Sequence, residues 1–376
     1  SGDPVSSWAA ACEAAERVGS VKKLVQLLEQ GPRSRTARRP AHGALAAYYP
    51  RQDRFRGEEK KWKDLRTSIP AARDRVSAAD LKKWARLHPH STGGTTGWTG
   101  RLILQLGAVD PKIAVSLAML WGRPPEDWLW SESASRALRD CDAFPVPKGD
   151  GYRPITAPAP PRRFTSGFFA SKARPLAERY CRQRHQLGLS GEAYTITYSL
   201  LPLLVSETGG TVVTADRSMS FQTLRRAAVY DAVKEVVAEA TGSEQTSAAA
   251  LVDGCVEFYS DHSHMRRTTA RLDDGTEYRV DGVAQGCALS PILEAVTLAK
   301  HLANATRDMR GAALMMAHDD LVIAAEAGAP ISRLRLPSCP EVGGTYNASK
   351  SVAVGADAST AFVRWVMCPR GLRMFG

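Results

Sequence analysis

The last third of the chain alternates short apolar runs with polar breaks, and helical stretches separate some of these runs. The runs are short, apolar and rich in valine, which predicts β-strands. Strands mixed with helices, without a regular strand–helix repeat, favour an α+β fold with an antiparallel sheet. The predicted strand segments read TVVTAD, EYRVDGV, ALMMAHDDLVIAA, SVAVG and AFVRWVM.

The rest of the chain is mainly helical in pattern. An amphipathic stretch lies in the first 40 residues, and charge-dense helical segments follow at 51–87. A glycine-rich loop from His88 leads into one predicted apolar helix that continues to about Trp121. Another helix is predicted for FFASKARPLAERYCRQRH, after a proline-rich stretch.

The chain is strongly basic, with a formal net charge of +11 and a pI of about 9.4. Such a surplus attracts polyanions, nucleic acid above all. The charge-dense segments at 51–87 fit a solvated helix surface and a phosphate-binding surface equally well. No apolar run reaches the roughly 18 residues of a membrane-spanning helix. The dispersed cysteines contain no CxxC pair, which favours reduced thiols in a cytosolic or nuclear protein.

Acidic residues are the candidate chemistry. Asp216 ends one predicted strand, and the adjacent Asp319 and Asp320 separate two apolar runs. Neighbouring carboxylates are costly to bury, so a hairpin tip is the expected position, where a cation or water compensates them. A solvated turn is the plain alternative. Carboxylates from several strands are also what two-metal phosphoryl transfer requires.

Several segments, taken in order between about residues 90 and 370, resemble the motifs of reverse transcriptases. The resemblance is closest to non-LTR retrotransposon enzymes and more distant to group II intron enzymes. GVAQGCALSPILEAV, which matches a QG-x-x-LSP motif, is the most specific segment. The others are GGTTGWTGRLILQL, PVPKGDGYRPI, VVTADRSMSFQTL, MMAHDDLVIAA, GGTYNASKSVAVG and FVRWVMCPRG.

The resemblance implies a right-hand polymerase: an N-terminal basic helical extension at 1–87, the upstream motif and fingers at 88–209, and a palm with an antiparallel sheet at 210–376. The thumb is expected to be absent or truncated, since little chain follows the last motif. The implied activity is RNA-directed DNA polymerisation, with dNTPs as substrates and an RNA template and a DNA primer or target as partners. The implied location is nuclear, otherwise cytoplasmic, without membrane attachment.

The resemblance also assigns the catalytic and metal-binding residues. Asp216, Asp319 and Asp320 would be catalytic and would bind two Mg²⁺ ions, with Mn²⁺ as the alternative. The backbone of Arg217 would add a metal ligand. Lys350 would contact the nucleotide and protonate the leaving pyrophosphate; a salt-bridged surface lysine is the alternative.

The remaining nucleotide-binding residues follow from the same motifs. Lys148 and Arg153 would bind the triphosphate. Phe221 would lie beneath the sugar and exclude a 2′-hydroxyl. Gln285 and Gly286 would line the nucleotide pocket, because glycine permits close backbone approach.

Two departures from the family pattern keep other functions open. Ala317 and His318 precede the aspartate pair, where the family has an aromatic residue followed by a small or medium one. They suggest a slower enzyme or a degenerate, non-catalytic polymerase fold that binds RNA. An RNA-dependent RNA polymerase shares the same acid arrangement, but the QGCALSP segment and Phe221 argue against it.

Overall fold

The computed structural model divides the chain into two compact units, Ser1–Leu45 and Ala46–Gly376. All the residues that the structure describes belong to the second unit. The predicted boundaries near 87 and 209 stay predictions. The described residues are 49, 58–70, 76–91, 96–122, 141–148, 151–191, 209–259, 269–271, 276–302, 312–329, 339–347 and 350–355.

Ten α-helices are described in these segments. They are α1 (Glu58–Thr67), α2 (Ala78–Leu87), α3 (Gly100–Val109), α4 (Pro111–Trp121), α5 (Pro160–Arg182), α6 (Ser220–Thr223), α7 (Arg226–Ala238), α8 (Gln245–Tyr259), α9 (Ser290–Leu302) and α10 (Cys339–Val342). No helix in the described segments is long and apolar enough to cross a membrane.

The described strands form two sheets. The first has four strands in the order β2-β1-β4-β5, and the second has the order β6-β7-β3-β8, with β9 also paired to β3. Strand pairs are antiparallel throughout, except β1 with β4. The strands are β1 (Cys141–Lys148), β2 (Gly151–Pro158), β3 (Thr211–Ser218), β4 (Thr269–Arg271), β5 (Glu277–Arg279), β6 (Ala312–Ala317), β7 (Asp320–Ala325), β8 (Thr345–Tyr346) and β9 (Val352–Gly355).

The predicted α+β class with antiparallel sheets is confirmed. Strands β3, β6, β7 and β9 occupy predicted runs, β5 occupies part of another, and AFVRWVM lies outside the described residues. The prediction of a single helix up to Trp121 is wrong, because α3 ends at Val109 and α4 begins at Pro111. Proline lacks the N–H that a continuing helix needs, and the Asp110 side chain accepts a hydrogen bond from Lys112 N at 2.9 Å, which caps the new helix.

The second sheet packs one of its faces on α9. Alternate residues of a strand point to opposite faces, and Val213, Ala215, Leu321 and Ile323 form a buried cluster with Leu298 and other residues of α9. The even-numbered neighbours on β3 and β7 therefore point to the other face. That face carries Asp216 and Asp320.

Candidate active site

Asp216 and Asp320 lie directly opposite each other on the neighbouring strands β3 and β7. Side chains at such positions have Cβ atoms about 4.5–5.5 Å apart, and like charges there destabilise a sheet unless they are compensated. Asp319 lies in the two-residue turn that joins β6 to β7, next to the Ala317–Asp320 pair that closes the hairpin. The predicted hairpin tip is therefore confirmed, and it brings the three aspartates to one edge of the sheet.

The backbone of the hairpin tip is bound by Gln186, a fully buried residue that follows α5. Its Nε2 donates to His318 O at 3.0 Å, and its Oε1 accepts from His318 N at 3.1 Å and from Gly188 N at 2.8 Å. His318 has φ 57, in the left-handed region that is unfavourable for residues with a side chain. Both peptide groups of this unusual residue are thus satisfied by one side chain.

A buried acid on α9, Glu294, adds negative charge behind the turn. It is fully buried, and His318 Nδ1 lies 3.5 Å from its Oε2, an ion-pair distance too long for a good hydrogen bond. Burial alone would lower the pKa of His318, but the facing Glu294 carboxylate outweighs it and the pKa is raised. Burial also raises the pKa of Asp319 to about 6, and the charges of Glu294, Asp320 and Asp216 add to the shift.

Asp216 is joined to two residues of the segment after α10. Lys350 Nζ lies 3.7 Å from Asp216 Oδ2, and Asn347 N donates to Asp216 O at 2.7 Å. The side chain of Arg217 points away from the carboxylates, since it is buried, donates to Gly343 O and stacks over the ring of Tyr346 at 5.3 Å. The metal-binding role of the Arg217 backbone stays a prediction.

The carboxylate oxygens of the three aspartates are of the type that suits Mg²⁺, although the side chains are not arranged as a complete metal site. Among the described residues, no group of three or more His, Cys, Asp or Glu side chains is arranged to hold a metal ion. Carboxylate oxygens are the ligands that Mg²⁺ prefers. The pKa of Asp319 is raised mainly by burial and further by the neighbouring carboxylates, whose negative charge a cation would compensate. Asp216, Asp319 and Asp320 are the residues that would bind it.

A cavity of about 560 Å³ opens at this acidic edge. Of the predicted nucleotide-binding residues, Arg153, Phe221, Gln285 and Lys350 line it together with the three aspartates and Arg217. Gly286 adjoins Gln285 in the loop that precedes α9. Lys148 ends β1 opposite Gly151, and its side chain lies outside the described part of the chain. Predicted residues from β2, β3, β7, α6, the β6–β7 turn and two loops thus line one cavity.

The loop at 282–286, called here the QG loop, is held between α6 and β2. Thr156 donates from its backbone N and from its Oγ1 to Gln285 O, both at 2.7 Å. Val283 N donates to Phe221 O at 2.8 Å on the other side. Gly286 has φ +128, and a Cβ there would lie 1.9 Å from Thr156 O. The close approach of β2 to the QG loop therefore requires glycine.

Three residues of the site were not predicted from the sequence: Gln186, Gln222 and Glu294. Gln186 and Gln222 lack a local pattern, because their partners are distant in sequence. Glu294 did give a signal, since it is a lone acid inside the apolar run SPILEAVTLA. A charged residue on the buried face of a helix needs a partner, and that partner is His318.

The sequence matches no known family profile and no curated protein. Among solved structures, the chain is similar to telomerases. The telomerase from Candida tropicalis in complex with a TWJ fragment of telomeric RNA has a TM-score of 0.45 and 12% identity, over 84% of this chain and 60% of that one. Apo telomerase from the same organism, truncated from the C-terminal domain, has a TM-score of 0.43 and 13% identity, over 60% and 51%. The telomerase from Candida albicans in complex with a TWJ fragment has a TM-score of 0.42 and 12% identity, over 61% and 44%. The chain thus spans between 44% and 60% of these proteins.

Proposed function

We propose that this chain is a polymerase of the reverse transcriptase type, which adds deoxynucleotides to a DNA primer on an RNA template. The observation that carries the proposal is the pairing of Asp216 with Asp320 on adjacent strands, with Asp319 beside them, at a cavity that Phe221 and Gln285 also line. A right-hand arrangement of fingers and palm, and an origin in a non-LTR retrotransposon, belong to the same proposal.

The proposed reaction needs each side chain for one task. When bound, two Mg²⁺ ions supply activation of the primer 3′-hydroxyl and neutralise charge on the transferred phosphate. Asp216, Asp319 and Asp320 would hold the two ions. Arg153, exposed at the cavity, binds the triphosphate, and Phe221 limits the space at the sugar. Lys350, whose Nζ lies 3.7 Å from Asp216 Oδ2, would protonate the leaving pyrophosphate.

A non-catalytic RNA-binding module remains a second candidate because of one observation. His318, which departs from the family pattern, lies with its Nδ1 3.5 Å from the buried Glu294 carboxylate, directly behind the aspartate turn. If this pair holds the turn in a form that takes no metal, the chain binds nucleic acid without extending it.

Primer extension tests the proposal. The whole chain is incubated with Mg²⁺, a DNA primer on an RNA template and dNTPs, in parallel with Asp319→Asn and with Asp231→Asn, an exposed residue of α7 that serves as control. We expect the wild type and the control to extend the primer, and Asp319→Asn to lose more than about 100-fold, because even residues that only support a metal ligand cost 10–100-fold.

Other results would select other functions. Extension with rNTPs but not dNTPs would identify an RNA-dependent RNA polymerase. Binding of primer–template without extension by the wild type would support the non-catalytic module. Metal binding is measured separately by thermal unfolding with added Mg²⁺ or Mn²⁺, which stabilises a protein that binds the ion in its folded state. We expect the melting temperature of the wild type to rise and that of Asp319→Asn to rise less.

A further inference from the structure

Gln222 lies at the border of the cavity and contacts two other parts of the site. It follows Phe221 on α6, is only 4% exposed, and borders the cavity. Its Nε2 donates to Gln285 Oε1 at 2.7 Å, and the same nitrogen lies 3.4 Å from Pro154 O on β2. The side chain therefore connects α6, β2 and the QG loop through one amide group.

The identity of the neighbours fixes which way each amide points. The nitrogen and oxygen of a glutamine amide are assigned from the hydrogen bonds they make. A backbone carbonyl only accepts, so the atom of Gln222 that faces Pro154 O is its nitrogen. The amide nitrogen of Gln222 carries a second hydrogen, which it donates to the Gln285 side-chain atom 2.7 Å away. Because that atom must be an acceptor, it is Oε1 of Gln285. The Gln285 amide nitrogen is then the atom left for the cavity.

The Gln285 backbone is fixed independently of this side chain. Thr156, which is buried, binds Gln285 O through its N–H and its hydroxyl group. Backbone position and side-chain orientation are thus set by two different contacts, one from β2 and one from α6. A change at Gln222 removes the second contact and leaves the first in place.

We infer that Gln222 is a positioning residue, which orients the Gln285 side chain so that its amide nitrogen is the hydrogen-bond donor in the nucleotide pocket. Acting through the Gln285 amide, it turns two N–H groups toward the cavity, where they donate to oxygen atoms of an incoming nucleotide. This inference rests on the proposed function for the identity of the ligand. The orientation of the Gln285 amide itself does not depend on that function.

A double-mutant cycle tests whether Gln222 acts through Gln285. Gln222→Met keeps an unbranched side chain and removes the amide, and Gln285→Ala removes the group that it orients. We expect Gln222→Met to raise the KM for dNTP about three- to tenfold, the effect of losing one hydrogen bond, with little change in kcat. In the Gln285→Ala background the same substitution should leave KM unchanged. Equal, additive effects in both backgrounds would overturn the inference.

Reversing the hydrogen-bond polarity gives a second variant. Gln222→Glu places an acceptor against Gln285 and against Pro154 O, so the Gln285 amide must rotate and present its oxygen to the cavity. We expect the KM for dNTP to rise more than in Gln222→Met. If Gln222→Glu binds dNTP as tightly as the wild type, orientation of Gln285 has no role in nucleotide binding and the inference fails.

A spectroscopic measurement keeps the inference testable if the wild type extends no primer, an outcome that would refute the proposed function alone. Protein labelled with ¹⁵N at glutamine side chains gives amide resonances, and those of Gln285 are assigned by their loss in Gln285→Ala. We expect Gln222→Met to shift the two side-chain amide resonances of Gln285. The control is Gln183→Met, at an exposed residue after α5, and it should leave these resonances sharp and unshifted. No shift in Gln222→Met would refute the orientation.

Discussion

At the scale of single residues, the site depends on close backbone approach as much as on charged side chains. Gly286 allows β2 to bind the QG loop, because its φ of +128 and the nearby Thr156 O leave no room for a Cβ. The catalytic prediction centred on three aspartates, yet the QG loop that carries Gln285 is held in part by a backbone contact that only glycine permits.

Gly286→Ala is predicted to destabilise the protein and to weaken nucleotide binding. The new Cβ would lie 1.9 Å from Thr156 O, and backbone held in an unfavourable region costs about 1–3 kcal/mol. The free energy of unfolding is measured by urea denaturation. The control is Gly167→Ala in α5, where a Cβ meets nothing within 4 Å. Alanine there should raise stability by about 0.5–1 kcal/mol. An unchanged urea midpoint in Gly286→Ala would contradict the geometry.

At the scale of elements, the aspartate hairpin is supported by the segment that follows α5. Besides the Gln186 bonds, Leu187 N donates to Met316 O at 2.6 Å and Met316 N donates to His185 O at 2.9 Å. A Cβ at Gly188 would lie 2.5 Å from His318 N, so the segment approaches the turn closely. The position of the aspartates is therefore set from outside the sheet as well as from within it.

Gln186→Leu is predicted to lower both stability and the rate of primer extension. The substitution leaves the N–H groups of His318 and Gly188 and the His318 carbonyl without their partner, and each unsatisfied buried group costs about 1–3 kcal/mol. Amide hydrogen exchange at His318, urea denaturation and kcat are the measurements. Gln183→Leu, on the exposed surface after α5, is the matched control. Slow exchange at His318 in Gln186→Leu would show that another contact holds the turn.

The contacts that join α7 to α9 and to the end of α5 lead us to expect that the stability of the protein falls at low pH. The Tyr180 hydroxyl donates to Glu235 at 2.9 Å, and Arg184 and Lys300 form ion pairs with the same carboxylate. Burial alone would raise the pKa of Glu235, but these partners outweigh it and the pKa lies below its ordinary value of 4.5. A lowered pKa in the folded state stabilises the protein above that ordinary value, and the contribution is lost as the pH falls through the folded value.

Glu235→Gln should therefore lose less stability than the wild type between about pH 6 and about pH 3, because glutamine does not titrate. Glu235 is 34% exposed, so the difference is on the order of 1 kcal/mol or less. Urea midpoints across this range measure it, with Glu326→Gln on an exposed loop as control. Parallel pH profiles for Glu235→Gln and the wild type would mean that these contacts do not contribute.

The sequence predicted those elements whose pattern is local. The alternation in TVVTAD and in the two runs around Asp319 gave β3, β6 and β7, because side-chain periodicity along a strand depends on nearest neighbours. Gln186 pairs with a residue 132 positions away, and Gln222 with one 63 positions away. Contacts over such separations produce no pattern that a single sequence would show. Pro111 is a local signal for the break between α3 and α4, but the apolar pattern continues across it and favoured a single helix.

At the scale of the whole molecule, positive charge is the dominant property. The formal net charge of +11 coexists with an acidic edge where Asp216, Asp319 and Asp320 meet. On α1 and α2, lysines are exposed beside the buried Trp62 and Leu81, which anchor these helices in the core. A basic exterior attracts a polyanion, whereas a local acidic group binds cations, and a polymerase needs both.

Binding of a primer–template by the whole chain is therefore predicted to depend strongly on salt and weakly on base sequence. Contacts to phosphate release counterions, and six to ten such contacts lose about 10³–10⁵-fold in affinity between about 50 and 200 mM salt. Fluorescence anisotropy with a labelled duplex measures the dissociation constant over this range, with a duplex of equal length and scrambled sequence as control. Equal salt slopes for the two duplexes are expected, because phosphate contacts carry no base information. An affinity that salt leaves unchanged would mean that the basic surface is solvated and binds no backbone. Loss of affinity for the scrambled duplex would mean that base contacts contribute to binding.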